Sequence, residues 1–280
     1  MTVLVTGVYG FLGSRLAVKL AKKHRVIGLY HINTKPNYND SVIVFSDLEQ
    51  IDIIPDIIVM CHAAVSSGNH EEESDVLFNA NVNFTEKVIK KFPDTKLIYI
   101  SSASIFANDG NVITENTADH PQTPYAQSKL AGEKLVIKDS RSCVIRLSSL
   151  YGQGMKENTL IPNYINQALQ SKTISVWGNG GRYQNYIYIE DAISLIEKAI
   201  ECKSKIDFPL LGVAGKEYTN AEVAEIISKF TNADIVYTGV DNAVSFHYNN
   251  ELTRKVLDWS AATTLADGLK EYIEWKKRPY

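Results

Sequence analysis

The chain has 280 residues, 45% of them hydrophobic, and a formal net charge of −3. That is enough chain for one large α/β body, or a large domain with a smaller appendage, and it carries no basic stripe of the kind that grips nucleic acid. Cys61, Cys143 and Cys202 are far apart and odd in number, which suggests neither a disulfide framework nor a metal knuckle.

In chain order, an apolar strand over 3–5 runs directly into Thr6-Gly7-Val8-Tyr9-Gly10-Phe11-Leu12-Gly13 and then into the helical pattern Leu16-Ala17-Leu20. Glycine has a physical use at each of the three positions. Gly7 allows the sharp turn, Gly10 lets backbone approach a pyrophosphate, and Gly13 lets helix pack on strand. The helix N-terminus then turns N–H groups and the positive end of its dipole toward the phosphates. The spacing differs by one residue from the common G-x-G-x-x-G fingerprint, and a plain glycine-rich βα turn is the competing reading.

Further strands are predicted over 25–29, 42–45, 57–61, 96–100 and 143–147. Helices are predicted over 13–23, 75–91, 124–138 and 160–170. Apolar strands alternating with helices are the pattern of a doubly wound parallel sheet buried on both faces. After about residue 150 the alternation weakens into glycine-rich loops around 152–154 and 177–181, with later helices over 189–201, 220–230 and 265–276. The expected organisation is a dinucleotide-binding domain over 1–150 that carries the catalytic residues. A smaller α/β substrate region over 151–280 is expected to pack on it as one body. No basic-then-apolar leader precedes the first strand, and no apolar run reaches the ~18 residues a bilayer requires. The expected compartment is the cytoplasm, with no membrane, metal or nucleic-acid partner.

Chemistry enters at Tyr125-Ala126-Gln127-Ser128-Lys129. Residues four apart share a helix face, so phenol and ammonium address one small volume, and a nearby Lys⁺ stabilises phenolate and lowers a tyrosine pKa toward working pH. A second pair with the same spacing, Tyr272 and Lys276, has no strand-borne partner and reads as an ordinary solvated helix face. Upstream of the first pair, the strand over 96–100 ends in Ser101-Ser102-Ala103-Ser104. Hydroxyls at the carboxyl end of a strand line the ligand crevice of such a sheet, although a turn or helix cap is the competing use.

Together these stretches resemble the extended short-chain dehydrogenase/reductase family, in its nucleotide-sugar epimerase, reductase and dehydratase branch, over nearly the whole chain. The resemblance is carried by Thr6–Gly13, Asp47-Leu48, His62-Ala63-Ala64, Asn81-Val82, Ser101-Ser102, the 124–133 segment, Arg146, Tyr151-Gly152 and Tyr188-Ile189-Glu190-Asp191. It extends to Glu217–Glu222 and Thr264–Leu269 in the substrate region. It implies a Rossmann-type fold, a nicotinamide cofactor and a catalytic set of Ser102, Tyr125 and Lys129. In that set Tyr125 exchanges the proton at the reacting oxygen, Ser102 hydrogen-bonds the same oxygen, and Lys129 holds the nicotinamide ribose. By the same likeness Gly7, Gly10, Phe11, Leu12 and Gly13 cradle the cofactor, Asp47 and Leu48 meet the adenine, Ala63 and Ala64 line its path, and Asn81 supports the site. Ser66, Ser149, Arg182 and Gln184 fall on the substrate side. The resemblance also implies a homodimer through helices over 81–91 and 124–138, here with Val82, Phe84, Val88, Ile89, Leu130, Leu135 and Ile137 as the apolar stripe.

Three departures narrow the expectation. Leu29-Tyr30-His31 supplies no acid at the end of the second strand, and His31 or Lys35 is positioned to meet a 2′-phosphate, which favours NADP over NAD. Ala103 and Ser104 stand where the 4,6-dehydratases carry an Asp-Glu pair, which disfavours dehydration. Ser149 replaces a usual Asn, and Gln184 replaces the diphosphate-clamping Arg, with Arg182 two residues away. The expected activity is reduction of a 4-keto-6-deoxy sugar nucleotide. One alternative is a nucleotide-sugar 4-epimerase with bound NAD. A third, of another class, is a non-catalytic NADP-sensing or scaffold protein, which has no need of Ser102, Tyr125 and Lys129 together.

Overall fold

A computed structural model describes residues 1–31, 41–65, 74–107 and 110–278. Its centre is a seven-stranded sheet, all parallel, built on β1 (Thr2–Thr6). To one side of β1 lie β2 (Arg25–Leu29) and β3 (Val42–Phe45). To the other lie β4 (Ile57–Met60), β5 (Lys96–Ser102), β6 (Cys143–Leu147) and finally β10 (Leu210–Gly212).

Alternation along each strand divides the core between the two faces of the sheet. Val3 and Val5 pack with Leu16, Ala17 and Leu20 of α1 (Phe11–Ala21). Leu4, Ile58, Met60 and Tyr99 join Val88 of α3 (Phe84–Lys91) and Val136 of α4 (Pro124–Val136) on the opposite face. Both faces being covered, the strands are apolar at nearly every position, as the sequence pattern predicts.

The chain beyond 150 does not remain apart from this sheet, since β10 forms its edge beside β6 and α6 (Ile189–Glu201) sits in the α1 core. Leu269 and Tyr272 of α9 (Leu265–Lys276) belong to the same apolar cluster as Val3 and Leu16. Two small sheets complete the C-terminal part. One has the order β11 (Glu217–Thr219), β9 (Tyr183–Tyr188), β7 (Ser149–Tyr151), and the other pairs β12 (Asp234–Thr238) with β8 (Thr173–Trp177). Helices α5 (Leu160–Gln170), α7 (Asn220–Thr231) and α8 (Glu251–Leu257) pack around them. Several of these strands are three residues long, too short for a period of two to register in sequence.

Two expectations are corrected. The single helix over 75–91 is α2 (Ser74–Phe78), a π-helical turn over Asn79–Asn83, and then α3. Tyr272 is not on a solvated face but fully buried, because α9 turns that side into the core. The apolar stripe expected for dimerisation is buried in part, with Val82 and Leu135 half-buried. Val88 and Leu130 are buried in the chain's own core, Phe84 and Ile89 pack against that core, and Ile137 alone of the set is strongly exposed at 56%. Among the described residues no helix is long and apolar enough to cross a membrane.

Candidate active site

The glycine turn leaves β1 with Gly7 at φ +66°, where a Cβ would lie 2.8 Å from the His62 N and Cα atoms. A Cβ on Gly13 would run into the Gly7 carbonyl oxygen, so these two positions admit nothing larger. Gly10 donates to the Gly7 carbonyl at 2.8 Å and caps α1, whose first turn holds no acidic side chain. The positive end of the α1 dipole is therefore uncompensated toward the turn, which fits the pyrophosphate of a dinucleotide. Phe11 and Leu12 open the helix beneath it, with Leu12 buried.

At the far side of this turn stand the residues expected to do chemistry. Thr123 accepts from the Ala126 N–H at 3.2 Å and Pro124 occupies the first turn, which starts α4 one residue before Tyr125. Ser102 closes β5 and caps the short 3-10 turn over Ala103–Ile105, accepting from the Ser104 N–H at 3.2 Å. Its capping use and its place at the strand end coexist. The Ser102 hydroxyl donates to Ser104 Oγ at 2.9 Å and lies near enough to Tyr125 to lower its pKa against burial.

Lys129 is 2% exposed and lays its ammonium 4.2 Å from the Tyr99 ring centroid. Burial pushes its pKa down to about 7, with the Glu133 carboxylate and Cys61 pulling the other way. Glu133 is itself committed to Arg146, at 2.7 Å to Nη2 and 3.1 Å to Nε, and Arg146 also pairs with Asp119 at 2.7 Å. The expected lowering of the Tyr125 phenol by Lys129 is not what the structure shows. Burial raises the Tyr125 pKa, the Ser102 hydroxyl opposes it, and Lys129 has no part in the shift. Its charge is turned to the Tyr99 face instead.

Asn81 occupies the π-helical turn and uses its whole amide. It accepts from the Ala64 N–H at 2.9 Å, and donates to the Ala64 carbonyl at 3.1 Å and to Ser128 Oγ at 2.9 Å. Ala63 and Ala64 thus leave β4 along a fixed path, Ala63 exposed. Of the residues expected to meet the adenine, Leu48 is buried in the core, while Asp47 is exposed and caps the turn over Leu48–Gln50 by accepting from the Glu49 N–H at 3.0 Å. His31 is exposed just past β2, and beside it Tyr30 stacks on Tyr9 of the glycine turn with centroids 4.3 Å apart. Lys35 and Ser66 lie outside the described residues.

On the substrate side, the three-stranded sheet brings Ser149 and Gln184 onto neighbouring strands, Ser149 being paired with Tyr186. Gln184 is engaged, donating to Asn220 Oδ1 at 2.9 Å, and Asn220 donates to Asp241 at 3.3 Å. Arg182 stands 3.9 Å from the same Asp241 carboxylate, and its Nε is buried with no partner among the described residues. Asn220 lies within the Glu217–Glu222 segment but Asp241 carries no motif, and only the fold reveals their link to Arg182 and Gln184.

A parallel doubly wound sheet with a glycine turn, a strand-end serine and a Tyr-x-x-x-Lys helix around one crevice defines a nicotinamide-dependent enzyme of the short-chain dehydrogenase type. The sequence profile of the NAD dependent epimerase/dehydratase family matches residues 3–208, and the chain belongs to that family. It is 24% identical over 325 residues to an uncharacterized UDP-glucose epimerase, YtcB, of Bacillus subtilis strain 168, covering 100% of this chain and 99% of that one. It is 23% identical over 305 residues to the dTDP-4-dehydro-6-deoxyglucose reductase of Escherichia coli, covering 97% and 96%. Among solved structures, the UDP-glucuronic acid 4-epimerase of Bacillus cereus in complex with UDP-glucuronic acid and NAD superposes with a TM-score of 0.86 at 21% identity, over 99% of each chain.

Proposed function

We propose that this chain interconverts hydroxyl and keto groups at C4 of a nucleotide-activated sugar and completes the cycle as a 4-epimerase with retained NAD. The observation that carries the reading is the Ser102 hydroxyl at the end of β5, near enough to the Tyr125 phenol on the first turn of α4 to oppose its burial-raised pKa, with Lys129 buried one helical turn further on. A bound nicotinamide supplies or takes the hydride. Ser102 and Tyr125 grip the reacting oxygen, and the Tyr125 phenol, held protonated by burial, is in the form that donates to a carbonyl. The reverse direction needs the phenol to give up its proton, which burial opposes and the Ser102 hydroxyl favours.

Net reduction of a 4-keto-6-deoxy sugar nucleotide is the second reading, and Leu29-Tyr30-His31 favours it. No carboxylate stands there to repel a 2′-phosphate, and an exchangeable NADPH suits a reductase. The purified protein's absorbance separates the two, since an epimerase retains its dinucleotide through purification and a reductase does not. Incubation with UDP-glucose and UDP-glucuronic acid, followed by NMR of C4, then tests the first reading. If no C4 epimer forms and no cofactor is retained, it is withdrawn. Tyr30→Asp and His31→Asp, made in parallel, are expected to raise the ratio of the NADP to the NAD dissociation constant by about tenfold in at least one variant.

A further inference from the structure

A continuous file of hydrogen bonds runs beneath the crevice from the glycine turn to the first turn of α4. Thr6 Oγ1 lies 2.6 Å from His62 Nδ1, and His62 Nε2 lies 3.0 Å from Thr85 Oγ1. Thr85 donates to the Asn81 carbonyl at 2.9 Å, Asn81 Nδ2 donates to Ser128 Oγ at 2.9 Å, and Ser128 donates to the Tyr125 carbonyl at 2.8 Å. The file fixes its own proton positions. A hydroxyl has one proton, and that of Thr85 is committed to Asn81, so Thr85 accepts from His62 and the ring proton sits on Nε2. Nδ1 is then bare, and Thr6 donates to it. The ring is held neutral because burial, and after it the Lys129 charge, pushes its pKa down to about 3.

A histidine that only filled space would be served as well by leucine. Here both ring nitrogens are used, and the ends of the file are the residue before Gly7 and the carbonyl of Tyr125. The middle passes through the π-helical turn, an irregularity that places Asn81 between Ala64 and Ser128. Phe84 meets the imidazole edge to face at 4.8 Å and fixes its plane.

We propose that His62 is a positioning residue that couples occupation of the glycine turn by a dinucleotide to the placement of Tyr125 at the head of α4. The inference rests on the reading that the turn binds the cofactor and Tyr125 is the acid/base. A double-mutant cycle on NAD affinity, measured by calorimetric titration, tests it with Ser128→Ala and His62→Leu, because Ser128 lies on α4, away from the glycine turn. Residues of one hydrogen-bond network couple measurably. Ser128→Ala is expected to weaken NAD roughly threefold or more in the wild-type background and less than twofold beside His62→Leu. Equal weakening in both backgrounds, or none in either, overturns the proposal. So does a loss of thermal stability in His62→Leu with NAD affinity and turnover unchanged. Where turnover is measurable, His62→Leu lowers kcat about tenfold with little change in the sugar KM. If His62→Leu does not fold, Thr6→Val breaks the same file at its other end and enters the cycle in its place. A wild-type chain that binds no NAD removes the cofactor reading and this proposal together. Coupling without nucleotide-sugar turnover removes only the substrate reading.

Discussion

Two helices of this molecule carry tyrosine and lysine four residues apart, and the surroundings alone make them different. On α4, Lys129 is buried against the Tyr99 ring, and the carboxylate nearest it, Glu133, is bound by Arg146. On α9, Lys276 reaches outward to the Glu157 carboxylate at 2.7 Å, while Tyr272 is buried against Trp275. Tyr272 is fully buried and Tyr125 only half-buried, so the deeper burial of a tyrosine is not what marks the pair placed for chemistry. What distinguishes them is the lysine, buried on α4 and ion-paired to Glu157 on α9, together with the strand-end Ser102 beside the Tyr125 phenol. Spacing on a helix places two groups near one another, and the fold decides what they meet.

The largest expected effect breaks the comparison at the phenols. Tyr125→Phe removes the proton-transfer group and is expected to lower turnover by about 10²–10⁴ while leaving NAD affinity near wild type. Tyr272→Phe is expected to leave turnover within about twofold. Equal effects of the two substitutions on turnover would cancel the distinction drawn here.

Next in size is the lysine of the reactive pair. Lys129→Met is expected to cost turnover on the order of 10²-fold through misplacement of the reacting groups. It also has a signature in stability. An unfolded chain holds this ammonium proton up to about pH 10.5 and the folded one sheds it near 7, so unfolding takes up a proton between those values and stability rises with pH. Cys61 and Cys143, pushed up to about 12 by burial, act in the opposite sense above about pH 9. Melting temperatures of the wild type should therefore climb between pH 7 and 9, and those of Lys129→Met should stay flatter across that window.

A second pH effect sharpens the contrast on the acid side. The folded His62 pKa, about 3, lies below its ordinary 6.5, so stability is lost as pH falls from 6.5 toward 3. His62→Gln removes that contribution, and its melting temperature should fall less steeply over the same range than the wild type's. The smallest effect belongs to the outward pair. Lys276→Met is expected to cost less than about 1 kcal/mol by denaturant melts, with turnover unchanged, because a half-exposed ion pair is screened by solvent.

Much of this architecture is legible in the sequence because its signals are local. Continuous apolar strands buried on both faces announce themselves, and the predicted strands over 25–29, 42–45 and 143–147 coincide with β2, β3 and β6. The glycine turn is legible for the same reason, since its steric demands fall on adjacent residues. The pairing of Tyr125 with Lys129 was readable as spacing, and Ser102 as a strand end.

Other features depend on distance through space and left no local trace. The three-residue strand β10 takes its place from β6, more than sixty positions earlier in the chain. Tyr272 reads as a surface residue until α9 docks against the cluster of Val3 and Leu16 and turns it inward. The Lys129 and Tyr125 pKa values move by burial rather than by their mutual charge, and burial belongs to the assembled core. The file from Thr6 through His62, Thr85 and Asn81 to Ser128 joins residues of β1, the β4 exit, the π-helical turn, α3 and α4. Sequence alone determined the sheet, the turn and the reactive types, because periodicity and backbone sterics act between neighbours in the chain. Only tertiary packing decided which tyrosine lies beside the strand-end serine, which lysine is stripped of solvent and which polar groups close into one network, because desolvation and long-range hydrogen bonds exist only once distant segments meet.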